Sequence, residues 1–259
     1  MTATAIIKPL TATFNMSLST GTFPALRKKA HMVAVHKSAL RSKVENYRQI
    51  SLLSCPAKVL DHLMCLRVTT RFRGVISEEQ HGFLKGRSTT TNLALFVSGI
   101  VKKLESGKQV DALYLDFSKA FDSLSHMLLA EKLSKYGAND ATTKWTTSYL
   151  AGRKLQVRVG QSLSDPFFAT SGVPQGSHLG PLLFLLYVQD LTLLLQGIDH
   201  SLYADDLKIH CPIDCEVDCL HLQQMLNRVA DWGNRDHMYL NSSKCQVISF
   251  NRTRTQVNY

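Results

Sequence analysis

Apolar residues recur at the spacing of an α-helix in four segments of the chain, residues 59–68, 93–104, 128–136 and 222–229. Each segment places its apolar side chains on one face, which predicts amphipathic helices that pack on a core. A Leu-rich segment after Pro181 predicts a further helix, because proline is tolerated in the first turn.

Alternating or continuous apolar runs predict the strands. The runs are residues 31–37, 112–117, 155–159, 201–210 and 244–250, of which 201–210 has the pattern of a strand–turn–strand hairpin. Helices mixed with antiparallel hairpins favour an α+β fold. Residues 1–24 show no clear period and are predicted to form an irregular arm.

The chain is basic, and its charge is unevenly distributed. Thirty Lys and Arg residues against 20 Asp and Glu give a net charge of +10. Residues 1–44 contain seven of the basic residues and no acid, so the remainder carries only +3. A basic front on a nearly balanced body favours a polyanionic partner, most simply a nucleic acid.

Composition and local patterns exclude several classes of protein. With 44% apolar and 19% charged residues the chain is not a disordered tail. The longest apolar run, Leu182–Val188, is too short for a membrane helix, and Met1–Leu10 lacks the basic start of a secretory signal. The acid-free N-terminus leaves a mitochondrial transit peptide as an alternative. Six cysteines in a chain of this length favour a reducing compartment, and we expect a soluble protein.

Three acids occupy places where strands end or turn. Asp116 ends a buried apolar run, and Asp205 and Asp206 follow Leu202-Tyr203-Ala204 at the predicted bend. If they converge, each pair about 4 Å apart repels by roughly 4 kcal/mol at an effective dielectric of about 20, which a divalent cation would relieve. Hard oxygen ligands favour Mg²⁺. Taken singly, each acid could instead be a polar turn residue or a helix cap.

Three segments occur in an order typical of one enzyme family. Residues 115–122 (LDFSKAFD), 171–177 (SGVPQGS) and 203–206 (YADD) resemble motifs A, B and C of reverse transcriptases, especially those of non-long-terminal-repeat retrotransposons of the Jockey and long interspersed element type. Further similar segments are residues 46–53, 80–88, 149–153 and 179–184, so that the resemblance spans residues 23–250. One departure is Gln49, where the family usually has proline.

The resemblance implies roles for individual residues. Asp116, Asp205 and Asp206 match the catalytic, metal-binding acids, and Lys244 matches a lysine that protonates the leaving pyrophosphate. The matching nucleotide-binding residues are Phe117, Phe121, Gln175, Gly176, Arg48 and Lys37. Among these, the Phe121 ring would exclude a ribose 2′-hydroxyl by collision. Candidate contacts to template or primer phosphates are Arg27, Lys28, Lys29, Arg41, Lys43, Lys85 and Arg87. The alternatives are a core position for Phe121 and plain surface charge for Lys37 and the other basic residues.

The implied function is RNA-directed DNA polymerase activity, with two Mg²⁺ ions or Mn²⁺ in their place. Its implied partners are an RNA template, a DNA primer and deoxynucleoside triphosphates, without a membrane. How such elements replicate implies an intracellular protein, in the nucleus, the cytoplasm or both. The expected architecture is a right-hand polymerase with fingers at residues 25–110 and a palm at 111–259, in which finger segments extend to about 170. Neither a thumb nor an endonuclease has a counterpart, so we expect a fragment of a longer element protein.

Other interpretations share part of this pattern. A catalytically inactive remnant would bind nucleic acid through the basic fingers and incorporate nothing. A group II intron maturase-type polymerase has the same motifs, although the amino-acid sequence of residues 172–184 favours the retrotransposon branch. Cys211, Cys215 and Cys219, flanked by His210 and His221, leave a zinc site as a minor alternative to scattered thiols. Cys55, Cys65 and Cys245 are interpreted as core residues.

Overall fold

The computed structural model describes residues 2–37, 40–252 and 257, and the contacts divide the chain into two units. The first unit comprises Met1–Arg73 and Leu124–Leu186, and the second comprises Gly74–Ser123 and Tyr187–Tyr259. The predicted fingers at residues 25–110 and palm at 111–259, with finger segments to about 170, are a different kind of division, which these contacts do not test. The names fingers and palm therefore remain predictions.

Helices and strands alternate irregularly along the described residues. The helices are α1 (Thr2–Thr20), α2 (Cys55–Phe72), α3 (Thr89–Glu105), α4 (Ala120–Ser123), α5 (His126–Lys135), α6 (Asp140–Leu150), α7 (Leu179–Tyr187), α8 (Gln189–Leu194) and α9 (Glu216–Arg235). The strands are β1 (Lys29–His36), β2 (Tyr47–Leu52), β3 (Gln109–Leu115), β4 (Lys154–Val159), β5 (Ser162–Leu163), β6 (Phe167–Phe168), β7 (Asp199–Tyr203), β8 (Asp206–Ile213) and β9 (Gln246–Phe250). None of the helices in these residues has the length and apolar character needed to cross a bilayer.

The first unit is built on a sheet of order β2-β1-β4-β5, with β6 also paired to β4. Strands β1 and β2 are antiparallel, whereas β1 and β4 are parallel. Helix α7 is apolar on nearly every side and almost entirely buried, as its sequence requires.

The irregular arm predicted for residues 1–24 is wrong, because residues 2–20 form helix α1. Its C-terminal end is held by tertiary contacts that the local pattern does not encode. The Trp145 indole N–H donates to the Ser17 hydroxyl at 2.9 Å, and the Phe23 ring packs edge-on against Trp145 and Tyr149.

The second unit contains an antiparallel sheet of order β7-β8-β3-β9 that packs on helices. On one side Phe96 and Ile100 of α3 form a cluster with Val110 and Ala112 of β3. Helix α9 contacts β8 and buries its predicted apolar stripe, including Met225. This confirms the α+β architecture with an antiparallel sheet.

A buried carboxylate joins three helices of the first unit. Asp61 on α2 is fully buried and accepts hydrogen bonds from the Tyr149 hydroxyl at 2.8 Å and from the backbone N–H groups of His178 at 2.6 Å and Leu179 at 3.3 Å. The latter two groups open helix α7, where unpaired N–H groups and the helix dipole favour a negative charge. Asp61 therefore fixes where α7 begins.

Replacing Tyr149 by phenylalanine is expected to lower the free energy of unfolding by about 2 kcal/mol, because a hydrogen bond to a buried charged acceptor is lost while the ring remains. Urea unfolding measures the change. Tyr239→Phe is the control, since Tyr239 is 52% exposed and its hydroxyl can exchange a protein partner for water. Equal, negligible losses in both variants would contradict the role given to Asp61.

Candidate active site

The three predicted acids lie at adjoining ends of the sheet in the second unit. Strand β3 ends at Leu115, immediately before Asp116, while Asp206 begins β8. Since β3 and β8 are antiparallel with Leu115 opposite Leu207, the next register position sets Asp116 beside Asp206. Asp205 occupies the two-residue loop that joins β7 to β8.

The electrostatics show that these carboxyl groups share one environment. Burial, together with the charges of Asp206 and Asp116, raises the pKa of Asp205 to about 6, while a backbone hydrogen bond and the charge of Lys244 oppose this shift. Burial also raises the pKa of Asp206, with the charge of Asp116 adding to it. Ionising Asp205 and Asp206 is therefore costly in the absence of a cation.

Two lysines lie near this group of acids, and Lys244 makes an ion pair with one of them. The Lys244 ammonium lies 3.3 Å from a carboxylate oxygen of Asp116, and the Lys244 side chain is 63% exposed. Lys244 and Asp116 also line a cavity of about 410 Å³ beside Asp206 and Lys208. Lys244 thus lies beside the acids, and its role as the proton donor to pyrophosphate stays a prediction.

The donor chemistry of the acids fits a hard divalent cation, because all the ligand atoms would be carboxylate oxygens. In the described part of the chain, however, no three His, Cys, Asp or Glu side chains stand close enough together to enclose an ion. The acids therefore influence one another electrostatically, but their side chains are not arranged as a complete metal site.

The aromatic ring predicted to filter the sugar is accessible. Phe121 lies on the short helix α4 and is half-buried, so the alternative of a hidden core position does not hold. Its ring packs edge-on against Phe83 at a centroid distance of 5.8 Å. Phe83 is itself 58% exposed and has a φ of 57°, an uncommon conformation for a bulky residue.

The prediction that Phe117 contacts the nucleotide is wrong for its ring. Phe117 is 3% exposed and packs edge-on against Trp232, while its backbone forms a bridge with Leu240. It follows Asp116 on a strand end, where successive side chains point to opposite faces. Because Asp116 faces the other acids, its neighbour enters the core.

The remaining nucleotide-binding candidates lie in the first unit. Arg48 is exposed on β2, and Lys37 is exposed just after β1. The Gln175 carbonyl accepts a 2.7 Å hydrogen bond from Ser51 N–H, which joins its loop to β2. Gly176 has a φ of 98°, and a Cβ there would stand 3.2 Å from Ile50, so both its backbone conformation and its closeness to β2 favour glycine. Its contact with the nucleotide stays a prediction.

Two of the basic residues predicted to bind phosphate are engaged within the protein. The Lys28 ammonium donates to the Ala151 carbonyl at 3.0 Å, and burial lowers its pKa with a contribution from Arg153. Arg87 donates to the carbonyls of Ser77, Glu78 and Gln80, which gives it a bracing role that the sequence did not predict. The other candidates lie at least partly exposed: Arg27, Lys29, Arg41, Lys43 and Lys85.

The cysteines do not form the alternative zinc site among the described residues. Cys211 lies on β8, Cys215 precedes α9 and Cys219 is buried on α9, and all six thiols are free. The interpretation of Cys55 as a core residue is wrong, because it is exposed. Cys65 and Cys245 are only half-buried.

Sequence reasoning missed several residues that support the site. Gln80 and Asn92 are buried amides that bind the backbone of β7 and its turn, and Lys208 donates to Asn92 at 2.9 Å. A buried amide gives no periodic signal in the sequence, because its role depends on the backbone groups with which it forms hydrogen bonds in the folded chain. Only the position of Gln80 in one of the matching segments could have drawn attention to it.

The chain is similar to known polymerases over most of its length. Residues 28–259 match the family described as "Reverse transcriptase (RNA-dependent DNA polymerase)". The "Probable RNA-directed DNA polymerase from transposon X-element" of Drosophila melanogaster is 32% identical over 257 residues, covering 95% of this chain and 28% of that protein. The "RNA-directed DNA polymerase from mobile element jockey" of Drosophila funebris is 29% identical over 248 residues, covering 92% and 27%.

A solved structure has the same fold at low sequence identity. Apo telomerase from Candida tropicalis, truncated from its C-terminal domain, superposes with a TM-score of 0.67 at 10% identity and covers 97% of this chain and 56% of that one. The right-hand polymerase fold is therefore present. The chain spans little more than a quarter of the length of the curated relatives, 28% and 27% for the two named. It belongs to the reverse transcriptase family, and its relatives include the polymerases of jockey-type non-long-terminal-repeat retrotransposons.

Proposed function

We propose that this chain carries the nucleotidyl-transfer centre of a retrotransposon RNA-directed DNA polymerase. In the proposed reaction a primer 3′-hydroxyl attacks the α-phosphate of a deoxynucleoside triphosphate, and pyrophosphate leaves. The observation that carries the proposal is the convergence of Asp116, Asp205 and Asp206 at one end of the sheet, with a raised pKa at two of them. An energetically costly carboxylate group at strand ends is typical of a functional site.

The three acids would hold two Mg²⁺ ions, or Mn²⁺ in their place. When bound, such ions supply charge stabilisation to both the attacking and the leaving oxygen of an in-line displacement. Asp116 and Asp205 would be the principal ligands, and Asp206 would support them. The carboxylates would bind the ions in their ionised form. Burial disfavours the ionised form of Asp205, and a bound cation would offset that cost.

Lys244 is proposed to donate a proton to the departing pyrophosphate. Its ammonium is exposed and lies 3.3 Å from Asp116, so it is close to the acids beside which the pyrophosphate would leave. An exposed lysine on a flexible stem can release one carboxylate and reach another anion without rearranging the backbone.

Four side chains are proposed to select the nucleotide, one by its bulk and three by polar contacts. Phe121 would exclude a ribose 2′-hydroxyl by its bulk, while Gln175, Arg48 and Lys37 would meet the base and the triphosphate. The half-buried ring of Phe121 and the exposed side chains of Arg48 and Lys37 leave all three accessible to a ligand.

RNA and a DNA primer are the proposed macromolecular partners. The acid-free stretch of residues 1–44 supplies positive charge for phosphate binding. A second structure of telomerase from Candida tropicalis, with a TM-score of 0.65 at 10% identity, contains a fragment of telomeric RNA. Nucleus and cytoplasm remain the proposed locations.

Primer extension on an RNA template tests the proposal. With Mg²⁺ present, Asp205→Ala is expected to lower incorporation about a thousandfold or more, because a metal ligand is worth several kcal/mol in the transition state. Asp231→Ala is the control, since Asp231 is an exposed acid on α9. Equal incorporation by the native chain and Asp205→Ala would refute the assignment of the site. A native chain that binds RNA in a salt-sensitive manner but incorporates nothing would identify an inactive remnant.

The raised pKa of Asp205 predicts a pH-dependent stability of the metal-free protein. A carboxyl whose pKa is raised on folding stabilises the folded state only while protonated, so its contribution is complete below about pH 4 and is lost as the pH rises through about 6. Asp205→Asn removes this loss. With a chelator present, the variant is expected to be about 2 kcal/mol more stable than the native chain at pH 7 and equally stable near pH 4.

Urea unfolding at several pH values measures this difference. Adding Mg²⁺ is expected to close the gap at pH 7, because the cation stabilises only the chain that retains Asp205. A difference that is constant from pH 4 to pH 7 would show that Asp205 ionises without cost.

Phe121→Val is expected to relax sugar selection. The ratio of kcat/KM for a deoxynucleotide to that for the matching ribonucleotide should fall about tenfold or more, because the smaller side chain leaves room for the 2′-hydroxyl. Single-nucleotide incorporation measures the ratio. Phe167→Val, at a 42% exposed phenylalanine of β6, should leave it unchanged. An unchanged ratio in Phe121→Val would remove Phe121 from the sugar site.

A further inference from the structure

We infer that Gln80 is a positioning residue that fixes the turn carrying Asp205, an inference that rests on the proposed function of that turn. Gln80 touches neither substrate nor metal in this scheme. It acts through the backbone of Ala204, the residue before Asp205.

The Gln80 amide holds both backbone groups of Ala204. Its side-chain oxygen accepts hydrogen bonds from Ala204 N–H at 2.8 Å and from Gly82 N–H at 2.7 Å. Its side-chain nitrogen donates to the Ala204 carbonyl at 3.3 Å. That carbonyl belongs to the same peptide plane as Asp205 N–H, and a peptide unit is planar. Fixing the carbonyl therefore fixes the direction in which the chain enters Asp205.

The turn needs such a tether because its backbone is strained. Ala204 has a φ of 59°, which favours glycine in the first position of a two-residue hairpin loop. A non-glycine residue adopts this conformation at a cost and keeps it only where the surroundings enforce it. Gln80 is 2% exposed and Ala204 is 4% exposed, so water cannot replace the amide.

Neighbouring residues hold Gln80 itself against the hairpin. The backbone of residues 79–81 runs beside β7, with His81 N–H donating to the Leu202 carbonyl at 2.8 Å and Leu202 N–H donating to the Glu79 carbonyl at 2.9 Å. Arg87 donates to the Gln80 carbonyl at 2.6 Å. A Cβ at Gly82 would stand 2.3 Å from Ala204 N, so only glycine permits this approach. The tether is thus part of a close backbone contact.

The same unit offers a matched control at Gln109. This buried glutamine makes the same pair of bonds to another backbone, accepting from Val257 N–H at 2.9 Å and donating to the Val257 carbonyl at 3.2 Å. It begins β3, whereas Asp116 follows the other end of that strand. Replacing either glutamine by methionine keeps the length of the side chain and removes the amide.

Steady-state kinetics on the whole chain and hydrogen exchange test the inference together. Gln80→Met is expected to lower kcat for nucleotide incorporation about tenfold or more, to change the nucleotide KM less than about twofold, and to speed exchange of the Ala204 amide about tenfold. Gln109→Met is expected to retain kcat and the slow exchange of Ala204, even where its melting temperature falls equally. Equal kcat values in the two variants, or unchanged exchange at Ala204, would overturn the inference.

The Gln80→Glu variant distinguishes loss of the tether from general misfolding. Gln80→Glu keeps the oxygen that accepts from Ala204 N–H and Gly82 N–H, so slow exchange at Ala204 should be retained there. Exchange at Ala204 as fast in Gln80→Glu as in Gln80→Met would overturn the inference, because the acceptor oxygen that glutamate retains would then contribute nothing to the tether. If the native chain incorporates no nucleotide, the proposed function fails, while the exchange measurements still decide whether Gln80 holds the turn.

Discussion

The antiparallel register between β3 and β8 is the constraint on which the site depends. With Leu115 opposite Leu207, the strands deliver Asp116 and the Asp205–Asp206 pair to one end of the sheet. Apolar side chains in the sheet and its covering helices hold that register, and they do so against the repulsion between the acids. Folding energy from the core thus maintains an arrangement of charge that is unfavourable by itself.

Periodicity predicted the main elements because it reports burial directly. The stripe at residues 222–229, the hairpin at 201–210 and the apolar run before Asp116 all became elements of the second unit. Helices α1 and α6 escaped prediction since their faces are rich in Ser and Thr and are held by contacts such as that of Trp145 with Ser17. The order of the motifs, not any single one, indicated which acids to consider.

The site was predicted in outline, and its supports were not. Charge and strand position singled out the three acids, because an acid that directly follows an apolar run stands out in a sequence. Asp61 and Gln80 are buried polar residues, and their partners Tyr149 and Ala204 lie more than 80 residues away in the chain. The alternation of side chains across a strand could have placed Phe117 in the core, but the resemblance assigned it to the nucleotide.

The hydrogen bond between Ser51 and Gln175 has a consequence for the evolution of chain length in the first unit. Because β2 carries Arg48 and also supports the loop of Gln175, an insertion or deletion inside this strand would reverse the face of Arg48 and displace the loop in a single event. Natural length variation should therefore collect in the segment between β1 and β2, and the strand itself should tolerate substitutions but not indels.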